Sequence, residues 1–299
     1  MSVFSAIDLS QLPPPDLVEE IDYTQIKAET LEKLAELDPT VDTSIESDPA
    51  VKLIEAVAYR EMIVRQRVND AARANMLAYA KGGDLDQIGA NYKVQRLLIT
   101  PANPNTIPPT PAVYESDDDF RRRIQLSPEG YTTAGSEGSY IYHALTAHPD
   151  IKDASALSPS PGVVSVYILS RSGNGTASEE VLAAARKALN KEDVRPMTDN
   201  VGVHTTGIVN YAINAELVMY PGPDTEIVRK NAEAAVRELA ESLRKNGYDV
   251  SLSALYRALH QPGVQRVNLI SPANNLIISQ SEASFATSIT ITAASAPNV

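Results

Sequence analysis

From Ala50 to Lys81 the chain contains neither proline nor glycine, and no other feature restricts what it can fold into as strongly. Asp48 offers an N-cap and Pro49 suits a first helical position, so the stretch predicts one helix of about 32 residues, roughly 48 Å long. Along it Ala50, Ile54, Val57, Glu61, Val64, Val68, Ala71, Asn75 and Ala78 recur in steps of three and four, close to a 3.5 repeat. Such a stripe is the seam of a helical bundle or coiled coil. The expected interface is therefore Ile54, Val57, Glu61, Val64, Val68, Ala71 and Asn75, with Glu61 and Asn75 as the polar positions that set register and partner choice. Glu61 with Arg65 and Arg67 with Asp70 keep the flanks polar, each pair contributing a few tenths of a kcal/mol. The competing reading is an ordinary long core helix, although one this long exceeds the needs of a small domain.

Around that helix the chain divides by pattern. Asp22 caps a preceding amphipathic helix marked by Tyr23, Ile26, Thr30, Leu34 and Leu37 and stopped by Pro39. A short helix follows from Asp84 to about Tyr92. Pro101, Pro104, Pro108, Pro109 and Pro111 then predict an extended linker. Ser116 caps a helix that opens Asp117-Asp118-Asp119 and continues Phe120-Arg121-Arg122-Arg123; a metal site on those aspartates is the sharper alternative.

Beyond Gly135 two passages run in the same order. Ser139 to Leu145, His148-Pro149-Asp150 and Val163 to Leu169 read as helix, turn and strand, and so do Ser253 to Leu259, Gln261-Pro262-Gly263 and Val267 to Ile270. Between them lie a helix from Ser178 to Leu189, a strand from Ile208 to Met219 and a helix from Thr225 to Lys245. The expected fold is multidomain α+β, an elongated N-terminal α-helical region followed by two degenerate α+β units. Its divisions are a helical region 1–99, a linker 100–112, and α+β domains 113–207 and 208–299.

The search for chemistry returns little. His143, His148, His204 and His260 show no helical zinc spacing, and the absence of cysteine removes thiol nucleophiles, thiolate metal sites and disulfides. Ser170-Arg171-Ser172-Gly173-Asn174-Gly175-Thr176 lies between a strand and a helix as phosphate cradles do, but it lacks the lysine of a P-loop and the third glycine of a dinucleotide fingerprint. A tight turn closed by Asn174-Gly175 explains it better. A net charge of −12 repels phosphate and anionic lipid, so neither nucleic acid nor membrane is an expected partner. Met1 to Ser10 carries no signal-peptide pattern and no stretch has the length of a membrane span, so a soluble chain is expected. No enzyme activity and no cofactor are expected.

Further residues carry a resemblance. Glu46-Ser47-Asp48-Pro49-Ala50, Ala58-Tyr59-Arg60-Glu61, Arg65 to Ala74 and Met76 to Ala80 form one block. It continues in order through Glu115-Ser116-Asp117, Phe120 to Ile124, Ser127-Pro128-Glu129-Gly130, Ala134-Gly135, His143-Ala144-Leu145, Ser158-Pro159, Pro161-Gly162, Leu169-Ser170-Arg171, Val194-Arg195-Pro196 and Gly222-Pro223-Asp224. Across nearly its whole length the chain resembles the baseplate J-like family. The resemblance implies a structural wedge subunit of a contractile phage tail or an R-type pyocin, assembled in the bacterial cytoplasm and carried in the particle. The partners it implies are a second copy of the chain, other wedge proteins met through an N-terminal helical bundle, and neighbouring wedges, hub or sheath-initiator proteins around a sixfold ring whose opening starts sheath contraction. It implies no catalytic residue. The alternative reading is a carbohydrate- or receptor-binding tail module.

Overall fold

The computed structural model describes residues 7, 9, 12, 13, 15, 19–133, 135–221 and 224–295. Most of the Met1 to Ser10 segment, together with Ala134 and the Gly222-Pro223 pair, lies outside them. Helix α1 (Tyr23–Leu37) starts where Asp22 accepts the Thr24 N–H at 2.7 Å. Helix α2 (Pro49–Ala74) is capped by Asp48 through the Ala50 N–H at 2.7 Å. It spans 26 residues, or about 39 Å. That is shorter than the proline- and glycine-free stretch predicts. The reason is local: the Asn75 amide donates back to the Ala71 carbonyl at 2.8 Å, and the chain leaves the helix in a series of turns through Tyr79.

Helix α3 (Gly82–Asn91) follows, and then the proline-rich stretch departs from expectation. Strands β1 (Leu98–Thr100) and β2 (Val113–Tyr114) pair antiparallel, and Asn103 and Thr110 exchange both backbone hydrogen bonds at 2.9 and 3.0 Å. The segment expected as an extended linker is thus a hairpin whose two legs run back along each other. Its prolines occupy positions that donate nothing to this ladder.

Helix α4 (Asp117–Leu126) then packs among the earlier helices. Phe120 and Ile124 are fully buried. Gly89 of α3 makes the approach possible, because a Cβ there would stand 2.5 Å from the Phe120 ring. The Arg96 guanidinium lies 4.7 Å from the centre of that ring and pairs with both Asp86 and Asp117 at 2.8 Å. Arg121 donates to the Leu77 and Ala80 carbonyls, each at 2.7 Å. Ser5–Arg96 and Ser116–Ile124 form one compact unit, and Leu97–Glu115 with the chain from Gln125 onward belongs to a second.

In that second unit, α5 (Glu137–Ala147), β3 (Ile151–Ser160), β4 (Val163–Ser170), α6 (Glu179–Leu189) and β5 (Asn200–Thr205) make a three-stranded sheet ordered β3-β4-β5. Next come β6 (Gly207–Met219), α7 (Thr225–Ser242), α8 (Leu252–Leu259), β7 (Val264–Ser271) and β8 (Glu282–Ser295), with sheet order β7-β6-β8. In each sheet the central strand pairs antiparallel with one edge strand and parallel with the other. The chain reaches the two layouts differently: α5 and β3 precede the central β4, whereas α8 and β7 follow the central β6. Each sheet has its own apolar core, one around Tyr140, Ile168, Val181 and Leu189, the other around Ile213, Leu217, Val236 and Leu255.

A buried amide joins the two halves. The Asn246 backbone N–H donates to Asp153 Oδ2 at 2.8 Å, its Nδ2 donates to the Tyr167 carbonyl at 3.1 Å and to Ser155 Oγ at 3.2 Å, and its Oδ1 accepts from Thr206 Oγ1 at 3.2 Å. Full satisfaction makes this polar contact tolerable in a buried setting.

Candidate assembly interface

The helical unit is built on α2, which carries two stripes of heptad spacing. One consists of Val51, Glu55, Ala58, Met62, Arg65, Asn69 and Ala72, and it is the inner one: Val51, Ala58 and Asn69 are buried, as is Ile26 of α1. Asn69 shows how the face is chosen. Its Oδ1 accepts from the Glu19 N–H at 3.1 Å and its Nδ2 donates to the Glu19 carbonyl at 2.9 Å, so a buried amide clamps the segment leading into α1. Lys27 of α1 reaches Glu55 of α2 at 2.8 Å, and Lys52 joins at 2.9 Å. The two ammonium groups, Lys27 foremost, hold the Glu55 carboxyl below the usual carboxylate range.

The stripe read from the sequence lies about a third of a turn away on the same helix. Of it, Val57, Val64, Val68, Ala71 and Asn75 are exposed and Ile54 and Glu61 are half-buried. Leu53 extends the same line by one helical step and is 67% exposed; the sequence reading passed over it, although Leu53, Val57, Val64 and Val68 keep the spacing. Glu61 pairs with Arg65 at 2.6 Å and raises the guanidinium pKa above its ordinary value. Asn75 acts as the C-cap of α2. Beside the stripe, Ile21, Met62, Ile63, Gln66, Arg67 and Asp70 line an open groove of about 310 Å³. Four valine and leucine side chains in a row, a groove beside them and a polar rim make a surface suited to receive another helix's apolar edge.

The residues singled out for chemistry are engaged in structure. Asp117 accepts from Arg96 and from the Gly82 N–H at 3.2 Å. Among the described residues no cluster of histidine, aspartate and glutamate could hold a metal ion. The strand-to-helix loop that invited a phosphate is filled by the chain's own carboxylate: Asp150 accepts from the Ser172 N–H at 3.2 Å, from Ser172 Oγ at 2.5 Å and from Ser170 Oγ. Among the described residues no helix is long and apolar enough to cross a membrane.

Comparison with known proteins agrees with the residue-level resemblance. Three family models match in succession: the baseplate J-like N-terminal domain over residues 46–103, the baseplate J-like central domain over 132–205, and the baseplate J-like protein C-terminal domain over 211–292. Baseplate protein J of Escherichia phage P2 is 51% identical over 288 residues, which is 94% of this chain and 95% of that protein. A cryo-EM structure of the anti-feeding prophage baseplate, 6-fold symmetrised, is similar at 14% identity with a TM-score of 0.40, over 61% of this chain and 44% of that one. That superposition is too loose to bear on the fold.

Proposed function

The chain belongs to the baseplate J-like family, and we propose that it is a wedge subunit of a contractile phage-type tail which meets a partner helix through the outward stripe of α2. The family is a structural one, and its members are baseplate components of phage or tail-like particles. The observation that carries the finer reading is the row Leu53, Val57, Val64 and Val68, left exposed on a helix whose inner face is already occupied by α1. The partners of this reading are a second copy of the chain, another wedge protein, and the neighbouring wedges, hub and sheath-initiator proteins that a closed ring requires. Within it the helical region 1–99 builds the wedge, the 100–112 hairpin intervenes, and the α+β domains 113–207 and 208–299 close a ring whose opening starts contraction. Assembly takes place in the bacterial cytoplasm, before the particle is complete.

Co-expression with the other baseplate proteins of the same particle tests it. Val64→Asp with Val68→Asp in the full chain should abolish co-purification of the wedge partner while leaving the chain folded. Two buried valines contribute about 1.5–3 kcal/mol each, and buried carboxylates add a desolvation cost. Normal wedge assembly by the double variant would refute the assignment.

A further inference from the structure

Strand β8 ends the second sheet and leaves one side of its backbone without a strand partner. At its start Asn246 bridges Ala283 and the Gly247 N–H donates to the Glu282 carbonyl; from Ala286 to Ala294 no strand pairs with the outer side among the described residues. An uncharged edge of that length invites another strand, and soluble proteins ordinarily blunt such edges with lysine or proline. This one has neither: from Ala283 onward the chain carries no charged residue and no proline before Pro297.

The residues along the edge read almost alike in both directions: Ala286-Thr287-Ser288-Ile289-Thr290-Ile291-Thr292-Ala293-Ala294. We infer that β8 pairs antiparallel with β8 of a second copy, about a two-fold axis at Thr290, joining two three-stranded sheets into one of six strands. In that register Thr290 stands opposite Thr290, Ser288 opposite Thr292 and Ile289 opposite Ile291. The two faces of the sheet then match. Ile291 is buried and Ile289 packs partly buried against the same core, while Ser288, Thr290 and Thr292 are exposed, so apolar residues meet apolar ones below and hydroxyls meet hydroxyls above. A one-residue slip would destroy this match. Two copies of net charge −12 repel each other over most of their surface, and the neutral edge is a place where they can approach. An isologous contact of this kind uses the same patch on both subunits and closes a pair. The inference rests on the assembly reading above and specifies how one copy meets another.

Because the natural chain has no cysteine, introduced ones report on the pairing cleanly. Directly opposed residues in an antiparallel pair have Cα atoms roughly 4.5–5.5 Å apart, within disulfide reach, whereas Ser288 and its own copy would be offset by four residues, or about 13 Å. Thr290→Cys, Ser288→Cys and Thr292→Cys are made singly in the full chain and oxidised mildly, alone and co-expressed with the other baseplate proteins. Thr290→Cys should give a disulfide-linked dimer. Ser288→Cys and Thr292→Cys should give none singly, but a dimer when the two are mixed.

A Thr290→Cys dimer yield no higher than that of Ser288→Cys would overturn the pairing. So would hydrogen-exchange protection of β8 in the assembled particle without a 290–290 link, since that assigns the edge to a strand of another protein. The α2 reading fails separately. If Val64→Asp with Val68→Asp blocks wedge formation while Thr290→Cys does not link, the edge is wrong and the stripe stands; the reverse result leaves the edge and removes the stripe.

Discussion

In the α+β part seven large aliphatic side chains are closed inside: Ile168, Leu169, Leu189, Ile213, Leu217, Leu255 and Leu259 are each less than 2% exposed. On α2 the comparable residues face outward, with Leu53, Val57, Val64 and Val68 between 46% and 67% exposed. Composition does not separate the two regions; partner supply does. Each sheet finds helices of its own chain to cover one face, whereas α2 has a single long neighbour, α1, and a helix with two apolar stripes can bury only one of them against one neighbour. On the proposed reading, stability and assembly fall to different side chains.

The comparison predicts opposite outcomes for two variants. The largest effect belongs to Val64→Asp with Val68→Asp, which should weaken partner binding by at least about a hundredfold, since burial of the two valines alone contributes about 3–6 kcal/mol. The same change should move the unfolding free energy of the isolated chain by no more than about 0.5 kcal/mol, because exposed positions tolerate substitution. Denaturant titration and co-purification on the same sample check both halves. If the isolated chain is destabilised as strongly as the partner is lost, the stripe is intrachain core and the contrast collapses. Leu217→Ala should do the reverse, costing about 2–5 kcal/mol of stability through a cavity in the second core while leaving wedge binding intact whenever the chain is folded.

A smaller change sharpens the α+β side. Asn246→Ala removes the amide that satisfies Ser155, Tyr167 and Thr206 and should cost about 1–3 kcal/mol. If the two sheets melt in one transition in the natural chain and in two after this substitution, the amide is what couples them. The smallest effect is set by pH. Burial lowers the His143 pKa below its ordinary 6.5, and its Nε2 is enclosed without a hydrogen-bond partner. The folded state thus disfavours the charged ring. Stability should be at its full value above pH 6.5, fall as pH drops from there toward the depressed folded-state value, and level off below it. His143→Phe should flatten that part of the pH–stability curve, read from chemical denaturation at several pH values.

How far the sequence carries the fold can be judged at particular residues. Asp22, Asp48 and Ser116 are caps that the structure uses as the pattern predicts, because capping depends on neighbours two or three residues away. Helix α2 stops short of its expected end because proline and glycine are not the only terminators, and Asn75 ends it through a side chain. The hairpin escaped notice because five prolines argue against strands. What they leave free is the pairing of Asn103 with Thr110, two residues whose neighbours in sequence give no sign of it. The α2 stripe was legible as a stripe, but its direction was not: Val51, Ala58 and Asn69 repeat with the same step as Val57 and Val64. The choice between those faces rests on the partner of Asn69, 50 residues away at Glu19. Greater separation hides Asn246, whose acceptor Asp153 lies 93 residues earlier.

The return of α4 to the helices that precede the hairpin bears on what a protease would release. Every residue from Pro101 to Pro111 is exposed, Ile107 completely so, and hairpin tips of this kind are where chains are nicked. A single cut there severs the polypeptide upstream of α4, yet Phe120, Ile124, Arg121 and Arg123 on the downstream fragment remain lodged against α3 and the carbonyls of Leu77, Ala80 and Gln95 on the upstream one. The two pieces should separate on a denaturing gel and travel together on a sizing column. A particle harvested from a lysate rich in proteases can accordingly carry this chain as a clipped but undivided subunit, recognisable by two bands present in equal amounts.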